Sequence, residues 1–269
     1  MIEVKNLKKT FSLSKKQIAA NKNKEKSKVA VRNISFEVNN NEIFGLLGPN
    51  GAGKTTTLRC LATLIQPTEG SIQVNGFDGK TEGDKVRREL AFLTNELKMD
   101  SHFTPDYTTR FFGRLHGMAE ADIERRIIQL FDIFGVTPYR HTKIGDLSTG
   151  MKQKLAIVVS LIHDPNVIIF DEPTNGLDII TAKAVTDYLY ELKKQGKTVI
   201  ISTHMMHVAE RLCDRIAIVM EGELKAIGTL DEILTLTGQK NLDDAFFKLY
   251  FETYPADAEN AMIGGARHA

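Results

Sequence analysis

Cysteine is scarce in this chain: 269 residues hold two, Cys60 and Cys213, far apart and each in an apolar helical pattern. That distribution excludes a disulfide framework and reads as two buried thiols in a reducing compartment. Long apolar runs are lacking too. Apolar runs such as Val167 to Phe170 fall far short of the roughly 18 residues a membrane span needs. Met1 to Phe11 is charged and has no apolar core segment, so no secretory leader is expected. Nor is there an excess of either charge. Thirty-five Lys and Arg against thirty-four Asp and Glu leave a net +1, so the total supports no general attraction to nucleic acid or anionic lipid. The expectation is a soluble intracellular protein.

What is present suffices for a sizeable core: 42% hydrophobic and 26% charged residues, in a length that makes one large domain or two small ones. Ile43-Phe44-Gly45-Leu46-Leu47 is a short apolar run entering Gly48-Pro49-Asn50-Gly51 and reads as a buried strand before a tight loop. From Thr55 the period becomes helical, with Leu58, Leu61, Leu64 and Ile65 on one face and Pro67 as the stop. Short strands are expected at Ser71–Val74 and Ala91–Thr94. From about Asp100 the texture is helical, over Tyr107–His116, Ala119–Phe134 and Thr149–His163. Beyond Asp164-Pro165 strand and helix alternate again: Val167–Phe170, a helix Asp178–Gln195, Thr198–Ser202, then Arg215–Met220 and Glu223–Ile227 as a closing hairpin. This pattern predicts a largely parallel, covered sheet interrupted by an all-helical insert. Residues 12–28 carry six lysines (Lys15, Lys16, Lys22, Lys24, Lys26 and Lys28) against one acid, Glu25, and read as a solvated loop, a contact with lipid head groups or a partner being the other reading.

Gly48-Pro49-Asn50-Gly51-Ala52-Gly53-Lys54-Thr55 has the spacing G-x-x-x-x-G-K-S/T. Pointing several consecutive backbone N–H groups at one anion takes glycines, and the helix that follows adds its positive end. Lys54 then neutralises the β- and γ-phosphates, and the Thr55 hydroxyl is a ligand for Mg²⁺. The match lies between a predicted strand and a predicted helix, so the segment Gly48 to Thr56, Thr56 included, reads as a nucleotide-phosphate cradle.

Val167-Ile168-Ile169-Phe170 ends in Asp171-Glu172. Neighbours on a strand point to opposite sides, which allows Asp171 to serve the magnesium shell and Glu172 to polarise an attacking water. His204, directly after the strand Thr198–Ser202, is placed to donate to the γ-phosphate. Ser148 is a good N-cap for the helix that follows, and Ser148-Thr149-Gly150 at its N-terminus makes a second anion site. One phosphate cradle already exists, so a second needs a reason.

The reason comes from a resemblance. The phosphate loop, Leu147-Ser148-Thr149-Gly150-Met151, Ile168-Ile169-Phe170-Asp171-Glu172-Pro173-Thr174-Asn175-Gly176-Leu177-Asp178 and Ser202-Thr203-His204 stand in the order and spacing of the ATP-binding cassette (ABC) ATPases, which the chain resembles over about residues 1–235. The resemblance implies the ABC form of the P-loop NTPase fold: an α/β domain with a mostly parallel covered sheet, an antiparallel β part and an inserted helical subdomain. The expected layout is a cassette over 1–240, with core sheet at about 1–95 and 166–230, helical subdomain at about 96–165 and Lys-rich loop 12–28, then a C-terminal helix and frayed tail over 241–269. It implies a head-to-tail dimer in which Ser148, Thr149 and Gly150 of one cassette close over the γ-phosphate held by the other, with Asp178 in the loop crossing the interface. Phe11 is implied as the aromatic that stacks on adenine, with a place in the ordinary core as the other reading.

Two departures stand out. Thr149 and Met151 replace a glycine and the glutamine of the family's LSGGQ, which weakens closure by about 0.5–1.5 kcal/mol per neutral hydrogen bond lost. Asn95 stands where the family has a glutamine ahead of the insert. One methylene shorter, it is expected to approach Mg²⁺ through a bridging water. Within the family, Leu61-Ala62-Thr63-Leu64-Ile65-Gln66-Pro67 and Ala91-Phe92-Leu93-Thr94-Asn95-Glu96 are most similar to the ATP-binding subunits of bacterial sodium-extrusion exporters, the NatA type. The expected activity is ATP hydrolysis with ATP and Mg²⁺ as cofactors. It would power efflux, of sodium on the subfamily's pattern, through a separate integral-membrane permease at the cytoplasmic face, with a second cassette and no nucleic acid as partner. The rivals are export of a drug or lipid, a non-transport ATPase acting on ribosomes or DNA, and a regulatory module that holds ATP unhydrolysed. Lys54→Ala is expected to weaken nucleotide binding about 10- to 150-fold, the loss of a charge-assisted bond of about 1.5–3 kcal/mol; titration with a fluorescent nucleotide checks it, and unchanged affinity removes the loop from the site.

Overall fold

An unbroken apolar strand such as Ile43–Leu47 can be buried only if neighbours pair with both edges and layers cover both faces. The computed structural model, which describes residues 1–20, 26–93, 99–175 and 177–257, supplies both. In chain order the elements are β1 (Ile2–Ser12), α1 (Lys15–Ala20), β2 (Ser27–Val38), β3 (Ile43–Leu47), α2 (Lys54–Leu61), β4 (Glu69–Val74), β5 (Phe77–Asp78), α3 (Gly83–Glu89) and β6 (Leu90–Leu93). The helical insert follows as α4 (Pro105–Leu115), α5 (Glu120–Ile133) and α6 (Thr149–Leu161). The sheet then resumes with β7 (Val167–Asp171), α7 (Ile179–Lys194), β8 (Thr198–Thr203), α8 (Met206–Leu212), β9 (Arg215–Met220) and β10 (Glu223–Gly228), and the chain closes with α9 (Leu230–Thr237) and α10 (Leu242–Thr253).

The ten strands are ordered β5-β4-β1-β2-β10-β9-β3-β8-β7-β6. Strands β9, β3, β8, β7 and β6 run parallel. Strands β5, β4, β1 and β2 form an antiparallel arm, joined to the rest by the β2–β10 contact at Asn33 and Glu223. One apolar layer, with Leu46, Leu58, Ile200 and Ile34, packs α2 between the arm and the parallel strands. On the other face Ile127, Leu130, Ile168, Phe170 and Leu189 join the insert, the sheet and α7. A third cluster, with Ile218, Ile233, Leu242 and Phe246, seats α9 and α10. Each fully buried Leu or Ile contributes about 1.5–3 kcal/mol.

Four expectations change. First, α2 stops at Leu61 rather than near Pro67. Thr63 turns left-handed at φ 56°, and Leu64 and Ile65 both direct their N–H groups to the Arg59 carbonyl at 3.0 and 3.3 Å. The chain thereby reverses toward β4 and leaves Leu64 55% exposed. Second, β1 and β2 are long strands that the residue pattern did not announce. Their pairing shifts register three times between Val4 and Thr10, and Asn6 is left-handed, so the alternation of period two breaks before it can be read. Third, the lysine-rich stretch is only partly loop: Lys15 and Lys16 open α1 and Lys28 lies in β2, while Lys22 and Lys24 fall outside the described residues. Fourth, α9 precedes the expected C-terminal helix, with the capping box Thr229–Glu232 at its start. Residues 258–269, where fraying was expected, lie outside the described residues.

The insert is tied to the sheet by two histidines. His116, the C-cap of α4, stacks on His163, two residues past α6, with ring centroids 3.8 Å apart and planes within 2°. His163 also lies 3.4 Å from the carbonyl oxygen of Leu90, the first residue of β6. Burial, then the neighbouring His116 and the charge of Arg126, pull His163 down to about 4, with the Leu90 carbonyl and Asp164 opposing. A base held below its unfolded value of 6.5 refuses a proton that the unfolded chain accepts, so stability is full above 6.5 and is lost as pH falls toward 4. The slope is at most about 1.4 kcal/mol per pH unit for this one proton. Urea midpoints are expected to fall between pH 7 and 5, and His163→Phe, which keeps a flat ring against His116, is expected to flatten that dependence.

Candidate functional site

Helix α2 starts without a side-chain cap. Its N-cap is Gly53, left-handed at φ 104°, so the N–H groups of the first turn have no internal acceptor. Neighbouring backbone requires glycine there: a Cβ on Gly53 would lie 2.6 Å from the Ala30 carbonyl oxygen, and one on Gly48 2.2 Å from that of Val219. The loop residues Pro49 to Thr56 line a cavity of about 240 Å³ together with Lys28, Ala30 and Glu172. Uncapped amides, a helix N-terminus and two lysines make this an anion site.

Lys54 is 5% exposed. Its ammonium donates to the carbonyls of Gly48 at 2.6 Å and Pro49 at 3.2 Å and lies 3.7 Å from Glu172 Oε1. Burial holds its pKa below the usual lysine range, and the charges of Glu172 and Asp171 oppose that shift only in part. Thr55 Oγ1 donates to Asp171 Oδ1 at 3.2 Å.

The two carboxylates are brought here by strand pairing, because β7 and β8 are adjacent and parallel with Asp171 opposite Ser202. Their divergence has another cause than the one expected. Strand β7 ends at Asp171, and Glu172 leaves it in the left-handed region at φ 55°, a conformation that costs a non-glycine residue of order 1–3 kcal/mol. Its N–H is held by Ser202, at 3.1 Å from the hydroxyl and 3.2 Å from the carbonyl. Ser202, fully buried, in turn donates to Asp171 Oδ1. His204 sits on the acid: its Nδ1 is 2.9 Å from Glu172 Oε2, which leaves Nε2 for another partner.

The remaining candidates are spread over the molecule. Phe11 is 38% exposed on β1, outside the core, with the Lys9 ammonium 5.1 Å from its ring centre. Ser148 caps α6, accepting the Met151 N–H at 3.3 Å. Ser148, Thr149 and Gly150 are not among the residues lining the cavity, and a Cβ at Gly150 would meet nothing within 4 Å. Asp178 caps α7, accepting from Thr181 N at 3.0 Å and Thr181 Oγ1 at 2.5 Å, and these bonds hold its carboxyl below the usual range. Asn95 lies outside the described residues.

A hard cation fits beside Thr55 and Asp171. Magnesium takes one or two carboxylates and completes its shell with phosphate and water oxygens. One hydroxyl and one carboxylate already converge there. Among the described residues no group of three or more His, Cys, Asp or Glu gathers, so phosphate and water would have to supply the other ligands.

The family model for ABC transporters matches residues 31–175, which is 145 of 269 residues. The chain belongs to this family. The ABC transporter ATP-binding protein NatA of Bacillus subtilis is 37% identical over 224 residues, 83% of this chain and 91% of that protein. A solved ATP-binding subunit of an ABC transporter superposes with a TM-score of 0.82 at 30% identity, covering 93% of this chain and 99% of that one. The dimeric structure of MJ0796, a bacterial ABC transporter cassette, does so with a TM-score of 0.74 at 26% identity, covering 86% and 99%. This cassette is thus an ABC-type ATP hydrolase of the ATP-binding-subunit kind, and no helix among its described residues is long and apolar enough to cross a membrane.

Ser202 lies in the motif Ser202-Thr203-His204, but its role as the support of both acids is not legible there. That role depends on which strand lies beside β8. The available signal was a small hydroxyl at the end of an apolar strand, which alone is too common to be specific. Ser202→Ala is expected to remove a donor from the Asp171 carboxylate, to leave the Glu172 N–H only the backbone carbonyl of position 202, and to lower stability by about 1–3 kcal/mol, read as a lower urea midpoint, with a larger fractional loss of ATP turnover than of nucleotide affinity.

Proposed function

We propose that this ABC cassette hydrolyses Mg·ATP to drive efflux through a separate membrane permease, working as one of two cassettes that close head to tail. The observation that carries the chemistry is the Glu172 carboxylate, which borders the cradle between the buried Lys54 ammonium and the His204 ring. A carboxylate there can accept a proton from a water aimed at the terminal phosphate, with His204 fixing its orientation through Nδ1–H and, when the ring carries a proton on both nitrogens, donating from Nε2 to that phosphate. The loop amides and Lys54 bind the phosphates and oppose the charge that develops during transfer. Thr55 and Asp171 would hold Mg²⁺, which supplies further positive charge to the phosphate oxygens when bound.

Two features support the partners. A Cβ at Gly150 would meet nothing within 4 Å, and Ile179 and Ile180, 89% and 82% exposed, follow Asp178 directly. Apolar side chains that open to water beside a capped helix fit a surface covered by a second cassette, the arrangement named for MJ0796. On the insert, Phe103, Tyr107, Phe111 and Leu115 recur at every fourth position and are 42%, 49%, 50% and 68% exposed, a stripe suited to a helix of the permease. Sodium is the cargo proposed from the NatA-type likeness. A drug or lipid is the alternative, because a cradle for ATP makes no contact with what the permease carries.

Glu172→Gln keeps the shape and removes the base. It is expected to bind ATP normally, to lower phosphate release at least about a hundredfold, and to accumulate as a dimer on gel filtration with ATP but not with ADP. Near-normal turnover would take Glu172 out of the mechanism; a variant that stays monomeric with ATP bound would count against the paired cassettes.

A further inference from the structure

A second cation borders the cradle. Lys28 on β2 is the direct partner of Phe11 across the β1–β2 ladder, so the two side chains emerge on the same face. Ala30, two residues along β2, shares that face, and its carbonyl oxygen presses on Gly53 at the mouth of α2. Lys28 and Ala30 both line the cavity that Lys54, Thr55 and Glu172 line. Passing from Ala30 back to Lys28 moves about 7 Å along the strand, away from the loop and toward Phe11.

The two lysines differ in what already occupies them. Lys54 is committed to the carbonyls of Gly48 and Pro49 at the inner end. Lys28 is exposed and makes no side-chain ion pair or hydrogen bond among the described residues. A nucleotide with its terminal phosphate at Lys54 and its base toward Phe11 has to run its sugar-side phosphate past Lys28. We propose that Lys28 is a second nucleotide-binding cation, pairing with the sugar-side phosphate while Lys54 grips the terminal end. This rests on the reading of the cradle as the nucleotide site.

The position dictates the kinetic signature. The sugar-side phosphate is present in ATP, in the transition state and in ADP alike, so a contact to it adds the same affinity to each and leaves the chemical step unchanged. Being exposed, the pair is also screened by salt. Lys28 therefore acts on affinity for di- and triphosphates and not on kcat.

The test is calorimetric titration of the full chain with ADP, alongside steady-state ATP hydrolysis, for the wild type, Lys28→Gln, Lys28→Arg and Lys54→Ala. Lys28→Gln is expected to weaken ADP binding about threefold to tenfold at low salt and to raise KM for ATP by the same factor, with kcat within about twofold. Lys28→Arg is expected to restore both, and the difference is expected to shrink at about 0.5 M salt. Since Lys28 is exposed, circular dichroism should show every Lys28 variant folded. An ADP affinity for Lys28→Gln equal to that of the wild type, in a titration where Lys54→Ala loses binding, overturns the role of Lys28 alone. Failure of the wild type to bind ADP at all overturns the nucleotide site and this proposal with it.

Discussion

A lysine ammonium enclosed at 5% exposure is the constraint around which this molecule is arranged. Removing such a charge from water costs several kcal/mol unless partners replace the solvent. Here two loop carbonyls do so directly, with the carboxylates of Glu172 and Asp171 close by. The carbonyls come from the tight turn after β3, which only glycine-rich backbone can make against β2 and β9. The carboxylates come from β7, two strands away in the sheet. Lys54 can stay charged in its place because the strand order β3-β8-β7 brings these groups to one end of the sheet. That end, outside the carboxyl termini of parallel strands, is where open α/β sheets bind their ligands.

Ser202 shows how economical the arrangement is. One buried hydroxyl donates to Asp171 and accepts the N–H of Glu172, so the acid beside Thr55 and the acid beside His204 share a single support. The left-handed backbone at Glu172 is held by the same residue, through both its hydroxyl and its carbonyl. Strain at this point is compensated by bonds from the neighbouring strand, and it aims the carboxylate at Lys54 and His204 rather than at the opposite face of the sheet. The insert lies on the other side of the same strands, fastened near β6 by the His116–His163 stack, so the nucleotide end and the exposed stripe of α4 belong to one connected body.

Much of this was legible in the residues, unevenly. The phosphate loop, the capped helix at Ser148 and the acid pair after Val167–Phe170 are local signals whose chemistry is complete within a few positions. The parallel strands could be read because they are buried on both faces and so are apolar without interruption. Strands β1 and β2 could not, because register shifts break their alternation, and a pattern of period two conveys nothing once its phase slips. Helix α2 is shorter than its residues suggest because Leu64 and Ile65 continue a helical period that the backbone abandons at Thr63. Its end is decided by the need to turn into β4, a demand made by the sheet and not by the side chains. Which group holds His204 was likewise hidden, since 31 positions of chain separate it from the next catalytic candidate toward the amino terminus, Glu172, with nothing local linking the two.

The order of residues alone determined that a polyphosphate is bound, that its cradle opens a helix, and that two acids and a histidine stand at strand ends. These depend on contacts between near neighbours, where residue type dictates conformation. Tertiary structure alone decided that Glu172 joins Lys54 to His204, that Ser202 supports both acids, and that Lys28 and Phe11 share one face beside the cradle. Those pairings are made across the sheet, between strands whose adjacency is settled by the packing of the whole core.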